Sequence, residues 1–387
     1  MPYDFDVLVV GAGYAGAVCA RALAEKGKQV YVLERRGHVG GNAYDCVDEH
    51  GVLIHQYGPH IFHTNNKEVF DWLSRFTDWR DYQHRVVANI PHGEGRMTYP
   101  VPFNLTSLET AFGQEEGKRL GEKLIAAYGA EKKVTILELR QNADPEIAAL
   151  ADYVYEHVFV HYTMKQWGQK PEEIDPNTTA RVPIFLSRDD RYFQDTYQGM
   201  PAESYTDMFF NMLTHPNITV ELGVNALNFL DLSGDKILLG GEVFEGDVIY
   251  TGQADELFAF QFGPLPYRTL KFEFETLMQD DFQNGYGTVN YTVDQPYTRI
   301  TEFKHLTGQH VPGVTTIVKE YSLPYGNLPN QTPYYAIINP ENNALYAQYK
   351  ALADKHPKLH LLGRLAEYKY YNMDAIAARA LELAEQL

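Results

Sequence analysis

The stretch Val7-Leu8-Val9-Val10-Gly11-Ala12-Gly13-Tyr14-Ala15-Gly16 decides the fold of this chain. An apolar run of strand character leads directly into the pattern Gly-x-Gly-x-x-Gly, and an Ala-rich segment of helical character follows over residues 17–26. A second apolar run, residues 29–33, ends on Glu34. Strand, glycine turn, helix and second strand in this order predict a dinucleotide-binding β-α-β unit.

The three glycines and the acid of this unit each have a physical role. Gly11 permits a tight turn, Gly13 lets the backbone approach a pyrophosphate, and Gly16 allows close packing of the helix on the strand. The start of the helix offers free N–H groups and the positive end of the helix dipole to the same pyrophosphate. Glu34 follows about 20 residues later, where an acid accepts hydrogen bonds from an adenosine ribose.

The segment after Glu34 indicates which dinucleotide is bound. Arg35-Arg36 is followed by Gly40-Gly41-Asn42. This arrangement resembles the extended FAD fingerprint of amine-oxidase-like flavoproteins, in which a second glycine turn brings backbone to the pyrophosphate. It favours FAD, although the glycine pattern alone is equally compatible with NAD.

Composition narrows the classes of partner. Of 387 residues, 33 are Lys or Arg and 51 are Asp or Glu, which gives a formal net charge of −18. Nucleic acid and anionic membrane surfaces are therefore unfavourable partners, and an anionic substrate would need a local basic pocket. No apolar run approaches the roughly 18 residues of a membrane span. With two cysteines, no Cys-x-x-Cys and no signal-peptide pattern, we expect a cytoplasmic protein without membrane insertion.

Three closely spaced histidines, His55, His60 and His63, raise the question of a metal site. No neighbouring carboxylate or cysteine completes a familiar ligand set, so we predict structural histidines and no metal. The Gly58-Pro59 turn could instead bring backbone and imidazole against a planar cofactor.

Periodicity divides the rest of the chain. Residues 65–80 have the pattern of an amphipathic helix, and Asp144-Pro145 is expected to open another helix. Residues 104–185 have a mostly helical pattern that ends in Trp167-Gly168 and a Pro-broken acidic loop, a composition that suits a mobile aromatic lid. From Tyr267 apolar residues alternate with period two, which predicts an antiparallel sheet. A strand, a glycine turn and a helix over 359–387 are expected to return to the cofactor. We therefore predict an FAD-binding domain (1–83, 205–262 and 338–387), a helical domain (104–185) and a sheet domain (84–103, 186–204 and 263–337).

Seven motifs, in order along nearly the whole chain, resemble those of the UDP-galactopyranose mutase family. They are Gly58–Thr64, Tyr162–Gly168, Tyr192-Phe193 with Tyr197–Pro201, Tyr267–Leu270, Pro296–Glu302, Lys319–Ser322 and Gly363–Leu365 with Tyr370.

The resemblance implies an α/β protein with a Rossmann-like FAD-binding domain, a helical insertion domain and a six-stranded antiparallel β-sheet domain. It also implies an isomerase of surface polysaccharide biosynthesis that interconverts UDP-galactopyranose and UDP-galactofuranose. In this family reduced FAD, with NAD(P)H as the reductant, forms a covalent flavin–sugar iminium adduct. A homodimer is expected.

The family also implies roles for individual residues. His63, Arg181 and Arg299 are expected to be catalytic, the two arginines by binding the diphosphate. The expected substrate-binding residues are His84, Phe159, Tyr162, Trp167, Arg181, Tyr192, Arg268, Arg299, Tyr335 and Tyr370. The expected cofactor-binding residues are Gly11, Gly13, Tyr14, Ala15, Gly16, Glu34, Arg35, Gly41, Asn42, His60, Ile61, Val224, Gly363, Arg364, Tyr371, Asn372 and Met373.

One position departs from the family pattern. Asn372 stands where an acid is common, and an amide there keeps hydrogen bonding but removes a charge near the diphosphate. Two other functions share the N-terminal pattern: an amine-oxidase-like FAD oxidoreductase, and a protein that binds a nucleotide sugar without catalysis. The first would need an apolar channel to the flavin, whereas the second would bind UDP without forming a furanose product.

Overall fold

A computed structural model describes residues 3–168 and 183–387. Arg181 and the acidic loop that follows Gly168 lie outside these residues, as does the side chain of Trp167. Predictions that concern them stay predictions.

A five-stranded parallel sheet forms the nucleotide-binding part of the protein. Its strands, in spatial order, are Ile218–Leu222, Val30–Glu34, Val7–Val10, Asp247–Tyr250 and Leu359–Leu361. All four neighbouring pairs are parallel, so each connection is a crossover. Helix Tyr14–Glu25 makes the first crossover and packs beside the C-terminal helix Met373–Gln386 in one apolar cluster. The predicted β-α-β unit is confirmed.

Neighbouring atoms leave no room for a side chain at Gly11 and Gly16 of this unit. Gly11 has φ +107°, and a Cβ there would lie 2.0 Å from Thr251 Oγ1. A Cβ on Gly16 would lie 1.9 Å from the carbonyl oxygen of Gly11, because helix and strand touch at this point. Gly13 precedes the helix without a side-chain cap, so the N–H groups of the first turn remain available to a ligand.

A helical layer begins at residue 105. Its helices are Leu105–Phe112, Gln114–Tyr128, Ile136–Arg140, Pro145–Val154 and Val160–Trp167. Side chains of Asn104, Thr135 and Asp144 cap three of them by accepting backbone N–H bonds. A π-helical turn, Tyr155–Phe159, joins the last two helices. A three-stranded sheet of Lys133–Thr135, Pro183–Phe185 and Phe103–Asn104 accompanies this layer.

The second large sheet has seven strands, one more than the six expected. In spatial order they are Pro333–Ala336, Tyr267–Leu277, Thr315–Pro324, Arg299–Glu302, Thr288–Asn290, Val86–His92 and Gly95–Val101. Thr288–Asn290 and Val86–His92 are parallel neighbours, whereas the other pairs are antiparallel. Alternation identifies a strand and its buried face but not its neighbour or direction, so the parallel pair could not be foreseen.

Shorter elements complete the chain. The helices are Lys67–Leu73, Tyr205–Leu213, Ala254–Leu257, Phe303–Thr307 and Pro340–Ala353. A small sheet contains Phe62–Thr64, Tyr197–Pro201 and Trp79–Asp81, and a hairpin pairs Asp45–Val47 with Leu53–His55. Another three-stranded sheet contains Leu230–Asp231, Leu238–Leu239 and Glu242–Val243.

The helix predicted over residues 65–80 is shorter than expected. It ends at Leu73, because Trp79–Asp81 forms a strand that pairs with Tyr197–Pro201. Within residues 3–168 and 183–387 no helix has the length and apolarity to cross a bilayer.

Candidate active site

Two cavities meet between the parallel sheet, the helical layer and the seven-stranded sheet. The larger has a volume of about 510 Å³ and the other about 230 Å³. Four residues line both of them: Asn42, His60, Arg364 and Met373. The two cavities therefore adjoin at these four side chains.

The smaller cavity contains most of the predicted cofactor-binding residues. Those that line it are Gly11, Gly13, Tyr14, Ala15, Glu34, Arg35, Gly41, Asn42, His60, Val224, Gly363, Arg364, Tyr371 and Met373. Ile61 and Asn372 line the larger cavity instead, and Gly16 packs under the turn. A Cβ on Gly41 would come within 2.9 Å of the Gly13 Cα, so the two glycine turns are in close contact.

The Glu34 carboxylate is integrated into this turn. Oε2 accepts the Ala12 N–H at 2.9 Å and Oε1 accepts the Arg36 N–H at 2.8 Å, on a side chain that is buried. Each carboxylate oxygen has a second lone pair, which remains available for a ribose hydroxyl. Bare N–H groups at a helix start, glycine cradles and this acid fit the pyrophosphate and ribose of FAD.

The larger cavity brings together the predicted catalytic and substrate-binding residues that the structure describes. Those that line it are His63, His84, Phe159, Tyr162, Tyr192, Arg299, Tyr335 and Tyr370. They come from seven separate segments of the chain, and the π-helical turn at Tyr155–Phe159 carries one of them. Such turns frequently occur at functional sites.

Arg299 is the principal cation of the large cavity. Its Nε donates to Glu320 Oε2 at 2.9 Å, and a second guanidinium nitrogen lies 2.8 Å from the same oxygen. Burial alone would lower the pKa of Arg299, but the carboxylate of Glu320 outweighs burial and raises it. Arg364 also lines the cavity, with its guanidinium 4.5 Å from the ring centre of Tyr370. The local basic pocket that a protein of charge −18 needs for an anionic ligand is present.

Two tyrosines of the large cavity, Tyr162 and Tyr335, keep their protons. Burial raises the pKa of Tyr162 and raises that of Tyr335 to about 12. Their hydroxyl groups are therefore neutral donors near Arg299. Phe159, with 1% of its surface exposed, supplies an apolar wall. Aromatic rings beside cationic and hydroxyl groups suit a nucleotide sugar, which has a flat base at one end and a diphosphate in the middle.

Two cavity histidines are held neutral. His60 Nδ1 lies 2.9 Å from the Gly58 carbonyl oxygen, which only accepts, so Nδ1 carries the hydrogen. Burial lowers the pKa of His60 to about 3 and that of His84 to about 3. Behind them His55 accepts the His60 backbone N–H through Nδ1, and burial lowers its own pKa to about 4. These rings act as fixed neutral groups.

His63 has a different environment. Its Nδ1 lies 2.7 Å from Asp195 Oδ2, and its ring stacks on Phe193 with centroids 3.6 Å apart. Asp195 and Glu320 are the acidic partners that sequence reasoning did not assign. Glu320 falls inside a family-like motif and Asp195 between the two parts of another, but nothing in a linear sequence shows which basic side chain each one will meet.

Arg268 does not line either cavity. Its guanidinium donates to the carbonyl oxygens of Gln166 and Lys165 and to Ser322 Oγ, each at 3.1 Å. Together with Ser322 Oγ, which also donates to the carbonyl oxygen of Gln166, at 2.6 Å, it caps the C-terminal end of helix Val160–Trp167. Its substrate contact stays a prediction, as do those of Arg181 and Trp167.

Among the residues that the structure describes, one cluster has potential metal ligands within reach of each other, namely Asp281, Glu302 and His305. None of these residues lines the two cavities. Both oxygens of Glu302 already accept hydrogen bonds, from the Phe282 and Gln283 backbone and from Thr315 Oγ1. The cluster therefore serves to hold the neighbouring loop.

Comparison with known proteins agrees with this geometry. A family model described as UDP-galactopyranose mutase matches residues 157–370, and one described as an NAD(P)-binding Rossmann-like domain matches residues 9–76. The UDP-galactopyranose mutase of Mycoplasma pneumoniae is 36% identical over 99% of this chain and 96% of its own length. The dTDP-fucopyranose mutase of Escherichia coli is 34% identical over 98% of this chain and 97% of its own length. The crystal structure of a reduced UDP-galactopyranose mutase has the same fold, with a TM-score of 0.74, 16% identity and coverage of 99% and 94%.

Proposed function

The chain belongs to the UDP-galactopyranose mutase family, a family of flavin-dependent sugar mutases, and on that premise we propose that it interconverts UDP-galactopyranose and UDP-galactofuranose on bound, reduced FAD. The observation that carries the proposal is the junction of the two cavities. A dinucleotide-type cradle adjoins a cavity with a partly buried arginine, neutral tyrosines and an apolar wall. A cofactor in the first would therefore present its flavin end to a nucleotide sugar in the second.

The residues that would hold FAD follow from the smaller cavity. The uncapped helix start after Gly13 would bind the pyrophosphate and Glu34 the ribose. His60 and Arg364 would lie against the flavin end, since they line both cavities. When bound and reduced, FAD would supply the nucleophile for the proposed covalent flavin–sugar iminium chemistry, and NAD(P)H is the proposed reductant.

The chain's own residues would bind the rest of the substrate. Arg299, together with Arg181, would bind the diphosphate and stabilise it as the leaving group, because a guanidinium matches phosphate oxygens in two places. Tyr162 and Tyr335 would donate hydrogen bonds to the same group, and Phe159 would pack on the uracil side. The net reaction exchanges one ring oxygen for another and leaves the oxidation state of the sugar unchanged.

A second substrate pair follows from one observation, the similarity to the E. coli dTDP-fucopyranose mutase over nearly the whole chain. The same isomerisation could act on a dTDP-linked sugar, with the difference confined to the base, the 2′ position of the ribose and the sugar's own substituents. UDP-galactose is the preferred candidate because the family model and the M. pneumoniae relative carry that name.

The test is conversion of UDP-galactose and of dTDP-fucose by the purified protein, with product separated by chromatography. We expect furanose product from UDP-galactose after reduction by dithionite or NAD(P)H, and no product while the flavin stays oxidised. Cyanoborohydride should trap a flavin–sugar adduct from the reduced protein. Full activity with oxidised flavin would contradict the covalent mechanism.

The same assay separates the two alternative functions. An amine-oxidase-like oxidoreductase would consume an oxidant and release no furanose, and a nucleotide-sugar sensor would bind UDP without conversion. Arg299→Ala should lower turnover as well as affinity in a mutase, but affinity alone in a sensor. Light scattering on the same preparation tests the proposed homodimer.

A further inference from the structure

We propose that Asp195 is a positioning residue that holds His63 in one tautomer, so that Nε2 of His63 exchanges a proton with the sugar as its ring opens and recloses. This inference rests on the proposed mutase function. Asp195 carries no role in the functions discussed above.

The geometry around His63 fixes the tautomer. Nδ1 lies 2.7 Å from Asp195 Oδ2, and a carboxylate oxygen only accepts, so the hydrogen resides on Nδ1. The side chain lines the large cavity, and Nε2 has no hydrogen-bond partner within residues 3–168 and 183–387. Stacking on Phe193 at 3.6 Å prevents the ring from turning away. Nε2 is thus the free nitrogen of a clamped ring at the cavity wall.

Asp195 is itself held in place. The Asn65 side-chain amide donates to Asp195 Oδ1 at 2.6 Å, while Asn65 Oδ1 accepts the Thr196 N–H at 2.9 Å. Gln198 Nε2 donates to the carbonyl oxygen of Asp195 at 2.8 Å. The two carboxylate oxygens of Asp195 therefore have separate partners: Oδ1 accepts from Asn65 and Oδ2 from His63.

The other two cavity histidines lack this arrangement. His60 and His84 bind a carbonyl oxygen and the Tyr82 hydroxyl through Nδ1, and no carboxylate is recorded beside either ring in the described part of the chain. Burial also keeps both rings neutral. An imidazolium formed during a reaction needs a negative partner, and among these three cavity histidines His63 alone has one within the described residues.

The reaction requires such a proton transfer. On going from pyranose to furanose, the C1–O5 bond breaks and a C1–O4 bond forms, while one proton leaves O4 and one arrives at O5. Starting from the neutral ring with a bare Nε2, His63 would take the proton that leaves O4 and, as the imidazolium beside Asp195, would deliver it to O5, so that the ring ends neutral again. Atoms and charge balance over the cycle, and no electron is gained or lost.

Asp195→Asn tests the proposal without changing the shape of the side chain. Because Asn65 presents an N–H group to this position, the new amide would turn its oxygen to Asn65 and its NH₂ to His63. His63 Nδ1 would then have to accept, which moves the hydrogen of the neutral ring to Nε2. The variant should therefore invert the tautomer.

Two measurements follow. Nitrogen-15 NMR of histidine-labelled protein, with the His63 signals identified by loss in His63→Gln, should show hydrogen on Nδ1 in the natural protein and on Nε2 alone in Asp195→Asn. Mutase turnover of the reduced holoenzyme should fall about 100-fold in kcat, with KM changed by less than about threefold, because a proton-transfer role acts on the chemical step.

Asp247→Asn is the matched control. His360 Nε2 and Asp247 Oδ1 form a pair of similar length, 2.8 Å, and similar exposure, away from both cavities. This control should alter neither the His63 signals nor kcat.

The outcomes separate the inference from the function on which it rests. If reduced natural protein forms no furanose, the proposed function fails and the proton exchange fails with it, while the NMR result still decides whether Asp195 sets the tautomer. If the natural protein is active, hydrogen on His63 Nε2 in its neutral ring, or an Asp195→Asn kcat within about threefold of normal, would overturn the inference. FAD content and melting temperature equal to those of the natural protein show that the variant is folded.

Discussion

Arg299 and Glu320 form an ion pair in the wall of the large cavity, with Arg299 Nε 2.9 Å from Glu320 Oε2. Glu320 has 1% of its surface exposed, so its charge is neutralised by Arg299 rather than by water. The pair lies between neighbouring strands of the seven-stranded sheet, at the register Arg299 opposite Glu320. The sheet thus holds in place a cation that faces the cavity.

Replacing Glu320 should make the protein dependent on an anionic ligand. Glu320→Gln leaves Arg299 without its counter-charge, and we expect a loss of about 3 kcal/mol in the free energy of unfolding. A diphosphate would then supply the missing negative charge, so UDP should raise the melting temperature more in this variant than in the natural protein. Glu273→Gln, on the exposed side of the same sheet, is the control. Equal UDP stabilisation of both proteins would contradict the expectation.

Gly16→Ala should disrupt the FAD cradle. The new methyl group would lie 1.9 Å from the Gly11 carbonyl oxygen and force helix and strand apart. We expect a loss of about 2–3 kcal/mol in stability and a purified protein with little bound flavin, measured by absorbance. Gly37→Ala, with no atom within 4 Å of the new Cβ, should keep its flavin.

The free energy of unfolding should fall at acidic pH, because the protein buries neutral histidines. Burial holds the pKa of His55 at about 4 and of His84 at about 3, below the value of about 6.5 in an unfolded chain. The unfolded state therefore binds more protons below pH 6.5. The stability from each histidine is complete above that pH and is lost as the pH falls towards 4 or 3, by about 2 kcal/mol per histidine at pH 5.

Urea unfolding at pH 5 and pH 8 measures this loss. His55→Asn keeps an acceptor for the His60 N–H but cannot be protonated, so the difference between the two pH values should shrink by about 2 kcal/mol. Replacement of the exposed His92 should leave the difference unchanged. If His55→Asn and the natural protein lose the same free energy of unfolding between pH 8 and pH 5, His55 does not contribute to that loss.

Arg268→Ala distinguishes a capping role from substrate contact. The variant leaves the carbonyl oxygen of Lys165 without its Arg268 donor, whereas that of Gln166 keeps Ser322 Oγ, and we expect a loss of about 1–2 kcal/mol in the free energy of unfolding. UDP affinity of the folded variant, by calorimetry, should fall less than about tenfold, whereas Arg299→Ala should lose more. A larger affinity loss in Arg268→Ala than in Arg299→Ala would instead indicate direct substrate binding.

The elements that could be predicted are those set by neighbours in sequence. The turn at Gly11–Gly16, the cap at Asp144 and the alternation from Tyr267 each depend on residues a few positions apart. The helix predicted over 65–80 was too long because pairing with Tyr197–Pro201 converts Trp79–Asp81 to a strand. Such pairing depends on a partner more than a hundred residues away.

The sequence by itself determined the dinucleotide-binding unit and, through its motifs, the family, because backbone conformation and spacing are local properties. Only the tertiary structure decided which charges meet: Asp195 with His63, 132 residues away, and Glu320 with Arg299. It also assigned Arg268 to a helix end and added a parallel pair to the large sheet. These outcomes depend on distances in space. A carboxylate pairs with whichever donor the packed chain places beside it, however far away that donor lies in the sequence.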